Sequence, residues 1–120
     1  MTIIHIRRPI TASLAEVGRP PAPEGGTPPM LSKLEAFAAP NGSLKAGTWE
    51  ATPGRFRRAV MDAEFSHFIA GRASFVTDDG HHFDFEAGDA AFFPPATHGT
   101  WTVHETLRKT YVIWQHAAFG

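Results

Sequence analysis

Cysteine is absent from this chain of 120 residues. Its absence excludes disulfides, thiolate metal sites and cysteine nucleophiles, and it suits a reducing compartment. Long hydrophobic runs are absent as well, so no segment is predicted to span a bilayer, and the N-terminus lacks the apolar core of a signal peptide. Together these absences predict a cytoplasmic protein with no membrane partner.

An excess of either charge is also missing, since 11 basic residues stand against 12 acidic ones and the formal net charge is -1. No basic block or stripe resembles a surface that would follow a phosphate backbone. Nucleic acid is therefore not an expected partner. The length suits one domain with a substantial core and leaves no room for a second.

Proline, in contrast, is abundant at the start of the chain, where residues 1–30 carry six of the ten prolines. Repeated prolines fix φ and remove backbone donors, which disfavours helices and central strands alike. We expect a proline-rich arm over residues 1–30 that wraps over a single domain at 31–120, with a free tail as the alternative. Ile3, Ile4 and Ile6 allow a short edge strand in this arm, and residues 14–17 allow one helical turn.

From residue 31 onward, short alternating apolar segments are separated by turns that contain Gly, Pro, Asn or Asp, and Gly71-Arg72 is one of these predicted turns. The pattern predicts nine strands, at 31–38, 44–51, 56–61, 64–70, 73–77, 81–86, 90–93, 100–104 and 107–116. Regular short strands of this kind indicate an all-β fold, either an antiparallel sandwich or a barrel.

Two spaced patterns in this region resemble the motifs of the cupin superfamily. Glu64-x6-Gly71 matches the second half of the first cupin motif, and Gly88-x5-Pro94 matches the start of the second. Segments 47–56, 99–101 and 108–113 are similar to the small single-domain cupins grouped with ureidoglycine aminohydrolase. The resemblance covers about residues 31–115. It implies a double-stranded β-helix, the cupin jelly-roll barrel, which is commonly a homodimer.

The motif histidines that would hold a metal are missing from this chain. The histidine positions of the first motif fall at 58 and 60, or at 57 and 59 with the longer spacing, and neither pair contains a histidine. In the second motif Gly99 stands at the histidine position and His98 lies one residue before it. A catalytic metal usually has at least three protein ligands, and an arginine at 57 or 58 would repel a cation. We expect no bound metal and no cofactor.

The resemblance implies that Glu64 points into the barrel and is the candidate catalytic residue. Because successive side chains of a strand point to opposite faces, Ser66 and Phe68 then point inward as well. The opposite face, which a second subunit of a homodimer would cover, carries Phe65, His67 and Ile69.

Arg58 approaches Glu64 if its strand face is inward, and Arg57 takes that place if the register differs. Two roles remain open. The arginine forms a structural ion pair in place of the metal, or it receives an anionic group of a ligand while Glu64 serves as acid, base or hydrogen-bond acceptor.

The other candidate ligand-binding residues are aromatic side chains of the barrel strands and one histidine. Pockets are usually apolar with a few convergent polar groups. Trp101 follows the loop that carries His98, so we expect both at the rim, with an ordinary loop histidine as the alternative for His98. Lys109 shares a strand face with Tyr111 and points either into the cavity or into solvent. These candidates are Trp49, Phe68, His98, Trp101 and Tyr111.

These features favour a small-molecule-binding cupin with degenerate metal motifs, which holds a small polar or anionic metabolite in its barrel. Whether it is an enzyme stays open. The alternative implied by the resemblance is a metal-dependent aminohydrolase that acts on a C–N bond of a ureide. The fold does not decide between them, because function depends on the site.

Overall fold

The computed structural model describes residues 2–23 and 25–115. Within them the chain forms eight strands and no helix. The described part of the chain therefore contains no helix that could span a membrane. Every strand pairing is antiparallel, which confirms the predicted all-β fold. The strands are β1 (Ala15–Gly18), β2 (Leu31–Ala38), β3 (Leu44–Ala51), β4 (Gly54–Arg58), β5 (Ala63–Thr77), β6 (His82–Glu86), β7 (Ala90–Phe93) and β8 (Gly99–Trp114).

The two longest strands, β5 with 15 residues and β8 with 16, form the spine of the fold. They pair with each other from Ala63 and Trp114 at one end to Thr77 and Gly99 at the other. The first half of β5 also pairs with β7 and its second half with β6. Strand β8 pairs with β4 through its first half and with β3 through its second. The result is a jelly roll of two layers, ordered β1-β2-β3-β8-β5-β7 and β4-β8-β5-β6, which share both long strands.

A bulge at Gly71 bends β5 where the sequence predicts a turn. The pairing register with β8 shifts repeatedly between Phe68 and Ala73, yet the strand continues through the irregularity. Gly71 has φ of +83°, and a Cβ there would collide with the carbonyl oxygen of Thr106, so only glycine fits without strain. The predicted strands at 64–70 and 73–77 are therefore one strand. Those at 100–104 and 107–116 are likewise joined in β8, which ends at Trp114 rather than at the predicted residue 116, and His116 lies outside the described residues.

The N-terminal arm lies along the barrel and adds one short strand. Strand β1 pairs with β2, so the predicted helical turn at 14–17 is wrong, and the three isoleucines expected in an edge strand lie before β1 instead. The guanidinium of Arg108 donates to the carbonyl oxygens of Pro9 and Ala12 at 2.8 and 2.9 Å and pairs with Glu50 at 3.0 Å. These contacts attach the arm to β8.

The core between the two layers is mainly aromatic. Trp101 is only 2% exposed, and its ring lies 4.9 Å from that of Phe75 and 6.0 Å from those of Phe68 and Phe93. Such offset and edge-to-face arrangements add to the free energy gained by burying the rings. The expectation that Trp101 lies at the rim beside His98 is therefore wrong, because its indole is enclosed by phenylalanines of β5, β6 and β7.

Candidate functional site

A cluster of polar and charged side chains occupies the interior next to this aromatic core. We call it the charged cluster, and its members are Arg58, Glu64, Ser66 and Lys109. Arg58 ends β4, Glu64 and Ser66 lie at the start of β5, and Lys109 lies in β8. The alternation of β5 is as predicted from Glu64, since Glu64, Ser66 and Phe68 are buried whereas Phe65 and His67 are exposed.

Both oxygens of the Glu64 carboxylate accept hydrogen bonds from this cluster. The guanidinium of Arg58 donates to Oε1 at 3.1 Å, and Oε2 accepts from Ser66 Oγ at 2.6 Å and from Lys109 Nζ at 2.5 Å. The carboxylate is 3% exposed, so these bonds replace the water that it loses on folding. Two cations share one carboxylate, which gives the cluster a formal charge of +1.

The pKa of Glu64 reflects a balance between burial and these partners. Burial alone would raise it, but the charge and hydrogen bond of Lys109, the hydroxyl of Ser66 and the charge of Arg58 outweigh that effect and lower the pKa from 4.5 to about 2. Glu64 is therefore ionised at neutral pH. A carboxylate with so low a pKa is a weak proton acceptor, which argues against its predicted role as a general base.

Aromatic rings cover the two cations of the cluster. The ammonium of Lys109 lies 4.7 Å from the ring centroid of Trp49, and the guanidinium carbon of Arg58 lies 4.6 Å from that of Phe93. Both distances are within the range of cation–π attraction. Tyr111 is buried on the same face of β8, and burial, followed by the charges of Glu35 and Glu64, raises the pKa of its phenol. Trp49 and Tyr111 thus belong to the surroundings of the cluster.

The structure brings together only part of the predicted site. Arg58, Glu64, Trp49 and Tyr111 lie in or beside the charged cluster, and Arg57 does not, because it points outward and forms a bidentate pair with Asp78 at 2.6 and 2.8 Å. Phe68 and Trp101 are core residues. His98 lies in the loop between β7 and β8 and lines a surface groove.

Sequence analysis left Lys109 open between the cavity and solvent, and it placed Ser66 on the inward face without assigning it to the site. Lys109 lies between the buried residues Leu107 and Tyr111 in the alternation of β8, so the pattern does place it inward. A lysine in that position needs an anionic partner, and the sequence does not show that Glu64, which pairs with Ile113 across the sheet, is close enough to bond it. Ser66 was not assigned for a similar reason, because the sequence places it on the same face as Glu64 but does not show which group its hydroxyl contacts.

Two loops cover the end of the barrel at which the cluster lies. We call residues 59–62 and 94–98 the mouth loops. The amide of Ala96 donates to the carbonyl oxygen of Met61 at 3.0 Å, and Arg58 Nη1 donates to the carbonyl oxygens of Val60 and Thr97 at 3.4 and 2.7 Å. Arg58 therefore holds both loops in place in addition to its bond with Glu64.

The charged cluster does not fit a divalent metal ion. Both oxygens of Glu64, the residue that matches the cupin ligand position, are already bonded to cationic groups, and Arg58 lies within 3.1 Å of one of them. Among the described residues, no group of three or more His, Asp or Glu side chains is arranged to hold a metal. The side chains at this position therefore do not provide the set of donor atoms that a metal-dependent reaction would need.

A family model described as the EutQ-like cupin domain matches residues 38–111. The EutQ protein of Clostridium difficile is similar in structure, with a TM-score of 0.72, 19% identity, and coverage of 90% of this chain and 84% of that one. A protein of unknown function from Pseudomonas syringae pv. tomato DC3000 has a TM-score of 0.74 at 23% identity, with coverage of 86% and 45%.

A DUF861 family protein from Thermotoga maritima is 30% identical with a TM-score of 0.52, over 53% of this chain and 73% of that one. Among curated proteins, none is significantly similar in sequence. The two likenesses below 25% identity concern the fold alone. The finer resemblance to ureidoglycine aminohydrolase gains no support from these similarities.

Proposed function

The chain belongs to the EutQ-like cupin family, and we propose that it binds a small anionic metabolite inside the mouth of its barrel, at the charged cluster. The observation that supports this is the charge of the cluster, in which Arg58 and Lys109 share the single carboxylate of Glu64. A buried excess positive charge is costly unless an anion or a hydrogen-bonding partner compensates it.

Arg58 is the group that such an anion would meet. Its Nη1 now donates to two neutral carbonyl oxygens of the mouth loops, those of Val60 and Thr97. Hydrogen bonds between two charged groups are shorter and roughly twice as strong as neutral ones, and the guanidinium fork fits a carboxylate or phosphate. An anionic ligand would take the place of these carbonyls, with the mouth loops moving apart to admit it.

Binding accounts for the cluster better than catalysis by Glu64 does. A base of pKa about 2 abstracts protons poorly at neutral pH. The alternative activity is metal-dependent hydrolysis of a C–N bond in a ureide. It requires a bound metal ion, and the side chains of the charged cluster are not suited to hold one. The proposal therefore assigns Glu64 to the positioning of Arg58 and Lys109.

In the experiment, the intact protein and two arginine variants are titrated with small anions, and binding is measured by isothermal titration calorimetry. The probes are phosphate, acetate, oxalate and benzoate. Arg58→Met should weaken the tightest of them by at least about tenfold, a loss of about 1.4 kcal/mol. Arg57→Met is the matched control, because Arg57 is the adjacent arginine on the outer face.

Arg58→Met leaves Glu64 paired with Lys109, so we expect the variant to fold, and circular dichroism checks this. Lys109→Met provides a second loss of positive charge and should weaken the same anion. If none of the four anions binds at millimolar concentration, or if both variants bind as the intact protein does, the proposal is wrong.

A further inference from the structure

An open groove lies between two edge strands, and the mouth loop of residues 94–98 forms part of its lining. Within the described residues β6 and β7 each pair with β5 alone, so each has an unpaired edge, and the groove between them has a volume of about 700 Å³. This volume is within the usual range for small-molecule sites. Five of its lining residues are phenylalanines, namely Phe75, Phe83, Phe85, Phe92 and Phe93.

One of these rings is unusually exposed for its size. Phe83 is 47% exposed, although its ring stacks on that of Phe85. Phe92 alternates with the buried Phe93 and points to the outer face of β7, next to Phe65. Large apolar side chains that remain in contact with water inside a concave surface mark sites where a ligand gains by covering them. The rings also present π faces, which attract cations.

The end of the groove near the turn between β5 and β6 is polar and acidic. Its lining includes Asp78, Asp79, His81 and His98. Asp78 is neutralised by its bidentate pair with Arg57, whereas Asp79 has no arginine or lysine partner among the described residues and accepts from Thr77 Oγ1 at 2.5 Å and from His81 Nδ1 at 3.2 Å. Among the carboxylates and guanidinium groups at this end, Asp78, Asp79 and Arg57, the formal charges sum to -1.

A hydrogen-bonding atom without a partner lies at the same end. His98 Nε2 is buried and has no hydrogen-bond partner within the described part of the chain, although polar atoms out of contact with water are almost always bonded. Its backbone carbonyl accepts from the amide of Asp78 at 3.1 Å, which fixes the loop beside the acidic turn. A ligand with an N–H group would supply the missing partner when Nε2 carries the lone pair.

The positive charged cluster does not oppose a cation in this groove directly. The ring of Phe93 separates the groove from the guanidinium of Arg58, and the bonds of that guanidinium go to Glu64, Val60 and Thr97. The groove therefore combines aromatic walls with an end of net negative charge. The buried guanidinium of Arg58 lies on the other side of the Phe93 ring.

We propose that the β6–β7 groove binds a small organic cation, an ammonium group attached to an apolar or aromatic body. The body covers Phe83, and the ammonium group lies at the polar end between Asp79 and His98. This site differs from the anion site inside the barrel mouth in both place and ligand charge, and it does not depend on that proposal.

The test compares three probes that share one body and differ in charge: phenethylammonium, 2-phenylethanol and 3-phenylpropionate. Binding is measured at low ionic strength by calorimetry and by NMR shifts of the groove residues. Phenethylammonium should bind at least about tenfold more tightly than the other two, and 0.5 M salt should weaken it because salt screens exposed charges.

Three substitutions locate the charge that matters. Asp79→Asn should weaken phenethylammonium by about threefold or more, and Arg57→Met should tighten it, because Asp78 then loses its compensating charge. Glu105→Gln is the matched control, since Glu105 is an exposed carboxylate outside the groove that pairs with Arg72.

The proposal is overturned if 3-phenylpropionate binds more tightly than phenethylammonium, or if Asp79→Asn and Glu105→Gln have equal effects. Shifts confined to residues outside the groove would also overturn it. The anion titration uses other probes and depends on Arg58→Met and Lys109→Met, so failure of one proposal is distinguishable from failure of the other.

Discussion

Replacing Glu64 by glutamine removes the charge that holds the two buried cations, while the size and shape of the side chain stay almost the same. In the native protein the carboxylate bonds to Arg58, Ser66 and Lys109. Glutamine keeps one acceptor oxygen but presents an amide to the other donors. The variant therefore leaves a buried ammonium or guanidinium without its anion, which is among the most destabilising of single changes.

The size of the effect follows from the pKa. A fall from 4.5 in the unfolded chain to about 2 in the folded one corresponds to about 3 kcal/mol, at about 1.4 kcal/mol per pH unit. Because the folded pKa is the lower one, this stabilisation is complete above pH 4.5 and is lost as the pH falls towards 2. When the pH is lowered from 7 to 3, the linkage relation predicts that the contribution of Glu64 to the free energy of unfolding falls by about 2 kcal/mol.

Urea unfolding of the intact protein and Glu64→Gln at pH 7 and pH 3 measures this directly. We expect the free energies of unfolding to differ by about 3 kcal/mol at pH 7 and by about 1 kcal/mol at pH 3. Other carboxylates titrate in both proteins, so their contribution cancels in the difference. Adding Lys109→Met to Glu64→Gln removes the unpaired ammonium and should recover part of the loss. An equal difference at both pH values, or no difference at pH 7, would refute the assignment of the low pKa to this cluster.

Two further predictions concern the outer face and the bend. We propose that the protein is a homodimer that covers Phe65, which is 46% exposed, so Phe65→Glu should shift sedimentation towards a monomer, whereas Val76→Glu on the other layer should not. A monomeric intact protein at micromolar concentration would contradict this. Gly71→Ala should lower the free energy of unfolding by more than about 2 kcal/mol, since φ is +83° and Thr106 blocks the Cβ, and an unchanged urea midpoint would show that the bulge relaxes.

The strands were the most predictable part of the molecule. The alternation of apolar residues gave the bounds of β2 and β3 as the structure has them, because turns with Pro and Gly interrupt the chain on both sides. The same reasoning placed a turn at Gly71 and was wrong. A glycine that ends a strand and a glycine that bends one look alike in sequence, and the difference depends on Thr106, which is distant in the chain.

The site was predictable only in part, for a similar reason. The motif position of Glu64 and the alternation through Arg58 correctly brought this pair together. Lys109 could not be assigned, because a lysine is stable inside a barrel only beside an anion that the sequence does not place. Trp101 was misplaced because nearness to the loop in sequence suggested the rim, whereas the inward alternation of β8 carries its indole into the core.

The sharing of β5 and β8 by both layers has a consequence for how the protein folds. Thr77 pairs with Gly99, Ala63 pairs with Trp114, and the intervening residues close successively longer loops of chain. Loop closure is entropically cheapest for the shortest loop, so pairing should start at the Thr77–Gly99 end and proceed through the bulge towards Ala63. Neither layer can form completely before the pairing of β5 with β8 has extended past Gly71. The amide protons of β5 and β8 should therefore exchange last, and the two layers should be lost in a single cooperative unfolding step.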